Sequence, residues 1–411
     1  VPLAHGVGGS ADLPLPLDLV LQAGAATVVL SFLIAAAVWT RPRLAGHPQR
    51  PVRTAGKLPG LRMLVLVASL YLVADALAGP RSAANPAAHA LFVWLWVGLV
   101  PLSALCGPVW RAVNPLRTVF RLLRLPRAGL RPGPGAGVWP GVLWLLAFVW
   151  FELVAPHRTD PVVVGCALLG YAAAQLAMAV LRGEEWFARG DCFEVYSELA
   201  GRLSPLRRRT PLSGLAAPFP AAYRGAAGPA AFVAVWWGST VFDSASGSPA
   251  WAGFVQRTGH PALSATVALT LVCAGVFLAV RKAARGLDVT ASLIPVAAGY
   301  TLAHYLSLLV VEGPRGLLLV IQQWGLAPGA AWAVVPLPPV IAGAQVTLIL
   351  LGHVLGVIVA HDAALAAGAR VTAGAPGPAA RPMLATLADE LPLVLFMIGC
   401  TWTGLLLLFV R

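Results

Sequence analysis

His304 lies inside an apolar run, LIPVAAGYTLAHYLSLLVVEGP (residues 293–314), where a titratable side chain is costly and needs a reason. On a helix, Tyr300, His304 and Ser307 fall within about 60° of one another, a polar stripe aimed at a neighbouring helix. Glu312 follows about 12 Å further along the axis, beside Arg315. Carboxylates stand near the ends of three other apolar runs: Asp75 before ALAGP, Glu152 before LVAPH, and Asp243 closing VAVWWGSTVFD. Four more histidines, His5, His89, His157 and His260, fall on the same side of the chain's alternation. Imidazoles and carboxylates gathered in one cavity make a zinc or copper site, in which His304 would be a ligand and a carboxylate a ligand or general base. The same groups make a proton relay.

Each residue also has a plainer use. An intramembrane histidine can simply hydrogen-bond a neighbouring helix. Asp75, Glu152 and Asp243 near helix ends can reach the headgroup region, and His89, His157 and His260 beside turn residues can be interfacial. The joint pattern says more than any member, because carboxylates on three separate runs point the same way. His5 and Asp12 lie on a segment, ADLPLPLDL and the residues before it, expected to fold back over the outer mouth. His353 and His361 are eight apart, about 12 Å along a helix, too far to chelate one ion, and they read as structural. Asp389 and Glu390 read as charges at a helix N-terminus.

The elements that must position these groups are membrane spans. The chain has 411 residues, 58% hydrophobic and 11% charged, against about 25% charged in soluble domains. Ten apolar runs are long enough to consider: about 19–39, 62–78, 89–106, 138–155, 161–181, 226–242, 261–280, 293–314, 339–360 and 391–410. With the N-terminus outside, 24 of the 29 basic residues fall on the inner side, leaving Arg81, Arg158, Arg257, Arg315 and Arg411 outside. That asymmetry is the positive-inside rule, and it assigns the net charge of +13 to an anionic membrane face rather than to nucleic acid. The fold expected is all-α, a single polytopic domain of about ten spans in the plasma membrane. Residues 315–335 are short of a span before Gln322 and Gln323 and read as an outer re-entrant or interfacial segment.

Two inner segments have amphipathic spacing. Around residues 109–125, Arg117, Arg121 and Arg124 oppose Leu116, Val119, Phe120 and Leu123. In the longest inner loop, 182–225, Asp191 and Glu194 form a capping-box pattern ahead of the stripe Phe193, Tyr196, Leu199 and Leu203. Both read as helices lying on the membrane, with docking of a soluble or membrane partner as the sharper alternative. Five cysteines are scattered without metal or disulfide spacing, and no Walker loop, HExxH or GxSxG occurs.

The segments AHGVGGSADLPLPL, NPLRTVFRLLR, GDCFEVYSELAGRLSPL, STVFDSASGSPAW and AAGYTLAHYLSLLVVEGP together resemble a family of actinobacterial polytopic membrane proteins labelled fenitrothion hydrolase. The resemblance implies hydrolysis of an organophosphate ester by metal-activated water, with ligands drawn from His5, His89, His157, His260, His304, Asp75, Asp243 and Glu152. The residues alone support three readings: a membrane-embedded metalloenzyme with a divalent metal at the outer face, a transporter of a metal ion or small solute using the same groups, or a non-catalytic docking protein.

Overall fold

The computed structural model describes residues 16–44, 59–131, 137–207, 212–220, 223, 227–283, 288–373 and 383–409. Among the described residues every regular element is helical. In chain order these are α1 (Leu17–Val38), α2 (Pro59–Ala78), a wide π-helical segment (His89–Val97) continued by α3 (Leu99–Cys106), α4 (Val109–Val113), α5 (Pro115–Leu122), α6 (Trp139–Leu153) and α7 (Pro161–Arg182). There follow α8 (Phe187–Gly190), α9 (Cys192–Ala200), α10 (Gly228–Ser246), α11 (Pro249–Thr258), α12 (Pro261–Ala283), α13 (Thr290–His304), α14 (Leu306–Gln323), α15 (Pro338–Ala373) and α16 (Met383–Phe409). The chain is an all-α polytopic membrane protein.

Eight helical stretches among the described residues are long and apolar enough to cross a bilayer: α1, α2, residues 89–106, α7, α12, α14, α15 and α16. Seven of these coincide with expected runs. The expected runs at α6 and α13 give helices of 15 residues, and the α10 run is interrupted by Ser239, Thr240, Asp243 and Ser244. α10 and α13 form the interior of the bundle, whereas α6 keeps an exposed apolar face at Trp139, Leu143 and Trp150. Nearly every residue of α10 and α13 is buried, so neither needs a lipid-compatible face, and polar side chains are tolerated where they meet one another.

Glycines set how closely α13 is held. A Cβ on Gly299 would lie 2.5 Å from the Leu348 carbonyl, and one on Gly352 2.5 Å from the Pro295 carbonyl. The two backbones touch, antiparallel, in the small-residue packing that lets membrane helices approach. α10 approaches α12 the same way at Gly238, and α1, α15 and α16 pack together beside α13.

Two expectations about local structure are corrected. The run 293–314 is not one helix: it ends at His304 and restarts at Leu306, with Tyr305 at φ −97°, ψ 11° between them. Pro314 stays inside α14, which carries on through residues 315–323. The second correction concerns α9. Its Asp191 does cap the helix, accepting from the amides of Phe193 and Glu194, yet α9 does not lie on a surface. All its residues except Glu198 are buried against α3, α4, α6, α8 and the end of α13. Tyr196 stacks on Trp96 at 4.8 Å and meets Trp236 edge-on at 4.7 Å. Glu194 and Ser197 are satisfied inside the protein, and within α9 only Glu198 is partly exposed. α5 does keep an exposed edge at Arg121 and Leu122.

Candidate functional site

The last turn of α10 carries Asp243 and Ser244, and α13 ends on Tyr300 and His304. A tie one to two turns inward sets the register between them: Trp236 donates its indole N–H to Thr301 Oγ1 at 3.0 Å. His304, 1% exposed, is then held from both ring nitrogens. Nε2 is 2.8 Å from Asp243 Oδ2, and Nδ1 is 2.9 Å from Ser244 Oγ. Tyr300 donates to Ser244 Oγ at 2.9 Å, and Tyr305, in the break between α13 and α14, donates to Asp243 Oδ2 at 2.8 Å. The break therefore has a structural consequence: it places two consecutive residues, His304 and Tyr305, on one carboxylate oxygen.

Proton placement follows from the donor inventory. Ser244 has one hydroxyl proton and two possible acceptors, His304 Nδ1 and the Thr240 carbonyl, 3.0 Å away. With that proton on Thr240, Nδ1 donates to Ser244 and a second proton is shared between Nε2 and Asp243 Oδ2, as imidazolium and carboxylate or as imidazole and carboxylic acid. With the proton turned to Nδ1, His304 is neutral and donates only from Nε2. Every hydrogen bond around the ring is closed in both states, and they differ by one proton and one hydroxyl rotation.

Glu152, at the end of α6, is 5% exposed, and its Oε2 has no hydrogen-bond partner. It lies within Coulombic reach of Asp243, Tyr196 and Tyr305. Ser307 is buried with its hydroxyl oxygen unpartnered, one turn beyond His304.

The remaining candidates separate from this cluster. His89 Nε2 meets Glu312 Oε2 at 2.9 Å, and Glu312 also takes a bond from Arg315 at 3.3 Å. Asp75 accepts from Gln323 at 3.2 Å, and Gln323 accepts from Tyr71 at 2.9 Å. His157 and His260 are exposed, at turns, and have no place in the cluster. His5 lies outside the described residues. Among the described residues no three His, Cys, Asp or Glu side chains are arranged to hold a metal ion. His304 itself would have to give up Asp243 or Ser244 to become a ligand.

Three features went unread in the sequence. Ser244 and Tyr305 each directly follow a residue that was singled out, Asp243 and His304. At the inner end, His361 Nδ1 faces Glu390 at 2.8 Å while Nε2 donates to the Trp39 carbonyl at 3.0 Å. Beside it Asp362 accepts from Trp39 Nε1 and from the amides of Arg43 and Leu44. A third cluster joins the two inner motifs. Arg117 grips Glu194 with two bonds of 2.7 Å, Nε to Oε2 and Nη2 to Oε1, and Nη1 reaches the Glu184 carbonyl at 3.2 Å. Asn114 caps α5 and donates to Asp191 at 2.7 Å.

Electrostatics in this inner cluster follow from burial and pairing. Burial pushes the Asp191 carboxyl up to about 6, with Glu194 adding to it and bonds from Tyr171, Trp110 and Asn114 opposing. Burial alone would lower the Arg117 guanidinium, but Glu194 and Glu184 outweigh it and hold it above its ordinary value. Two cavities lie away from His304: an apolar groove of about 610 Å³ along α10, α11 and α12, and an inner one of about 250 Å³ beside Arg111, Glu194 and Tyr223. Compared with protein families, curated proteins and solved structures, the chain gives no match.

Proposed function

We propose that this chain is a plasma-membrane transporter that moves protons, with or without a small solute or ion, with His304 and Asp243 as the proton-loading site. One observation carries the reading: the hydrogen bonds around His304 are complete both with and without the second proton. A site built that way gains or loses a proton without leaving a buried group unsatisfied, which lowers the cost of cycling. Glu152, buried nearby with an open oxygen, is the natural place for that proton to come from or go to. Further support comes from the discontinuous elements around the site, the break at Tyr305, the π-helical segment and the inserted α9, because irregular backbone at membrane depth is tolerated where it lines a functional interior.

The test is proton movement in proteoliposomes carrying an internal pH dye and a clamped membrane potential. Wild-type protein should dissipate an imposed pH gradient, and Asp243→Asn should slow it by at least about tenfold, equivalent to about 1.4 kcal/mol of barrier. Equal rates for wild type, Asp243→Asn and empty vesicles would end the reading.

A second reading has one observation in its favour. Asp243, His304 and Ser244 contact one another in the order of a hydrolytic triad, which would make Ser244 a nucleophile. Against it, Ser244 is 1% exposed and its oxygen already accepts from Tyr300. Covalent labelling of Ser244 by a fluorophosphonate probe, lost in Ser244→Ala, would favour hydrolysis over transport.

A further inference from the structure

We infer that α15 carries the inner half of the proton route, from His304 through Gln345 and His353 to the His361–Glu390 pair. This rests on the transport reading and adds the residues by which the proton leaves. The starting observation is a set of buried polar atoms on one helix. Gln345 donates to the Ala303 carbonyl, the residue next to His304, at 2.9 Å, and its Oε1 is buried without a partner. His353 faces the Ile349 carbonyl with Nδ1 at 2.9 Å. A carbonyl only accepts, so Nδ1 carries the proton and Nε2 is a bare lone pair, buried and without a partner. Both residues are 2% exposed. Two orphaned acceptors on one membrane helix call for an explanation.

Their spacing supplies it. Gln345, His353 and His361 are eight apart, so each step is about 12 Å along the axis and turns by about 80°. The series winds from the side of α15 facing α13, where Gln345 meets Ala303, to the side facing α1 and α16, where His361 meets Trp39 and Glu390. The direct α13–α15 contact is closed by the Gly299, Gly352 and Gly356 approaches, so a route inward must wind away from it. Steps of this length need water chains between the stations, and a bare imidazole nitrogen and an open amide oxygen are the groups a water would bond.

The steps balance without a further reactant. His353 accepts a proton at Nε2 and becomes an imidazolium, keeping Nδ1–H on the Ile349 carbonyl. It returns that proton from Nε2 to water on the inner side. At the end station Nε2 of His361 must be N–H, because it faces the Trp39 carbonyl, so one proton is shared between Nδ1 and Glu390. A proton arriving from His353 is passed on as this shared proton leaves. The charged groups packed around that station are Glu390 from α16, Asp362 on α15 and Arg43 beyond α1. Among the described residues, no charged group lies within hydrogen-bonding distance of His353.

The experiment uses the same proteoliposomes with His353→Ala, assayed with and without added imidazole. Proton movement should fall at least about tenfold, and free imidazole should restore a large part of it by standing in for the lost ring. A structural role for His353 would not produce rescue. Unchanged flux in His353→Ala, or reduced flux that imidazole does not restore, overturns the inference. Should that variant fail to fold, Gln345→Leu is read instead, with the same tenfold loss expected and unchanged flux overturning the route. Wild-type protein that moves no protons overturns the underlying transport reading, whereas wild-type flux that both α15 variants leave intact overturns the route alone.

Discussion

Arg117, on the side expected to be inner, and His304, on the side expected to be outer, are buried to a similar degree, each beside carboxylates, and they differ in how their neighbours are satisfied. Around Arg117, both Glu194 oxygens are bonded, Glu184 is paired with Arg117 and Arg121, and the guanidinium lies over the Phe187 ring at 5.2 Å. One arrangement of protons satisfies it. Around His304 two arrangements do, and a carboxyl oxygen of Glu152 and the Ser307 hydroxyl are left open nearby. A network with a single solution holds elements together: α4 and α5 are tied to α9, residues about 75 positions apart in sequence. A network with two solutions, one proton apart, can cycle. On the proposed reading, structural and functional polarity inside this bundle differ in the number of satisfied states, rather than in burial or residue type.

The largest expected effect tests the inner half of that comparison. Arg117→Met removes the cation and both strong bonds to the buried Glu194, while Glu184 keeps Arg121, and breaking a buried pair from one side costs about 3–5 kcal/mol. Denaturant melting in detergent should show it, and the double variant Arg117→Met, Glu194→Leu should recover part of the loss. A stable Arg117→Met protein with altered proton flux would mean that the inner network, too, is functional.

How much of this was legible beforehand can be judged residue by residue. The all-α polytopic class and the meeting of His304 with Asp243 follow from apolar run length and charge placement. Depth along a helix is encoded locally; azimuth around the bundle is not. That is why His89 and Asp75, at the right ends of their helices, met Glu312 and Gln323 instead of His304. The break at Tyr305 had no glycine or proline to mark it, while Pro314, the visible breaker, stayed within α14. α9 was placed on the membrane surface by its capping box and apolar stripe, and only Arg117 and Ser103, far away in sequence, show that Glu194 and Ser197 are satisfied inside. The spacing of His361 from His353 on the same helix says nothing of its true partner, Glu390, which comes from another helix.

A smaller effect, on pH dependence, sharpens the comparison from the same inner network. Asp191 titrates at about 6 in the folded chain against an ordinary 3.8. Between those values the folded protein holds a proton that the unfolded chain has released. Stability therefore falls as pH rises from about 4 to about 6 and levels off above, by up to about 3 kcal/mol for a shift of about two units. Asp191→Asn keeps a good helix cap and removes the slope. The difference between wild-type and variant melting across that range should follow this curve, and parallel curves would show that Asp191 stays ionised throughout.

The smallest stability change is expected at Glu152, and it bears most directly on the outer cluster. Glutamine has nearly the same shape as a protonated glutamic acid, so Glu152→Gln introduces neither a cavity nor an overpacked side chain. With one carboxyl oxygen already unbonded, little hydrogen bonding is lost, and stability should stay within about 1 kcal/mol of wild type. Proton movement should nonetheless fall at least about tenfold, because glutamine cannot take up or release a proton. That pairing of unchanged stability with lost flux is the reverse of what Arg117→Met should show. A loss of several kcal/mol would mean that Glu152 is held as an anion by a partner, and the outer cluster would then be a single-solution network like the inner one. Full stability with full flux would make Glu152 a bystander and shrink the loading site to His304, Asp243 and the Ser244 hydroxyl that reports their charge.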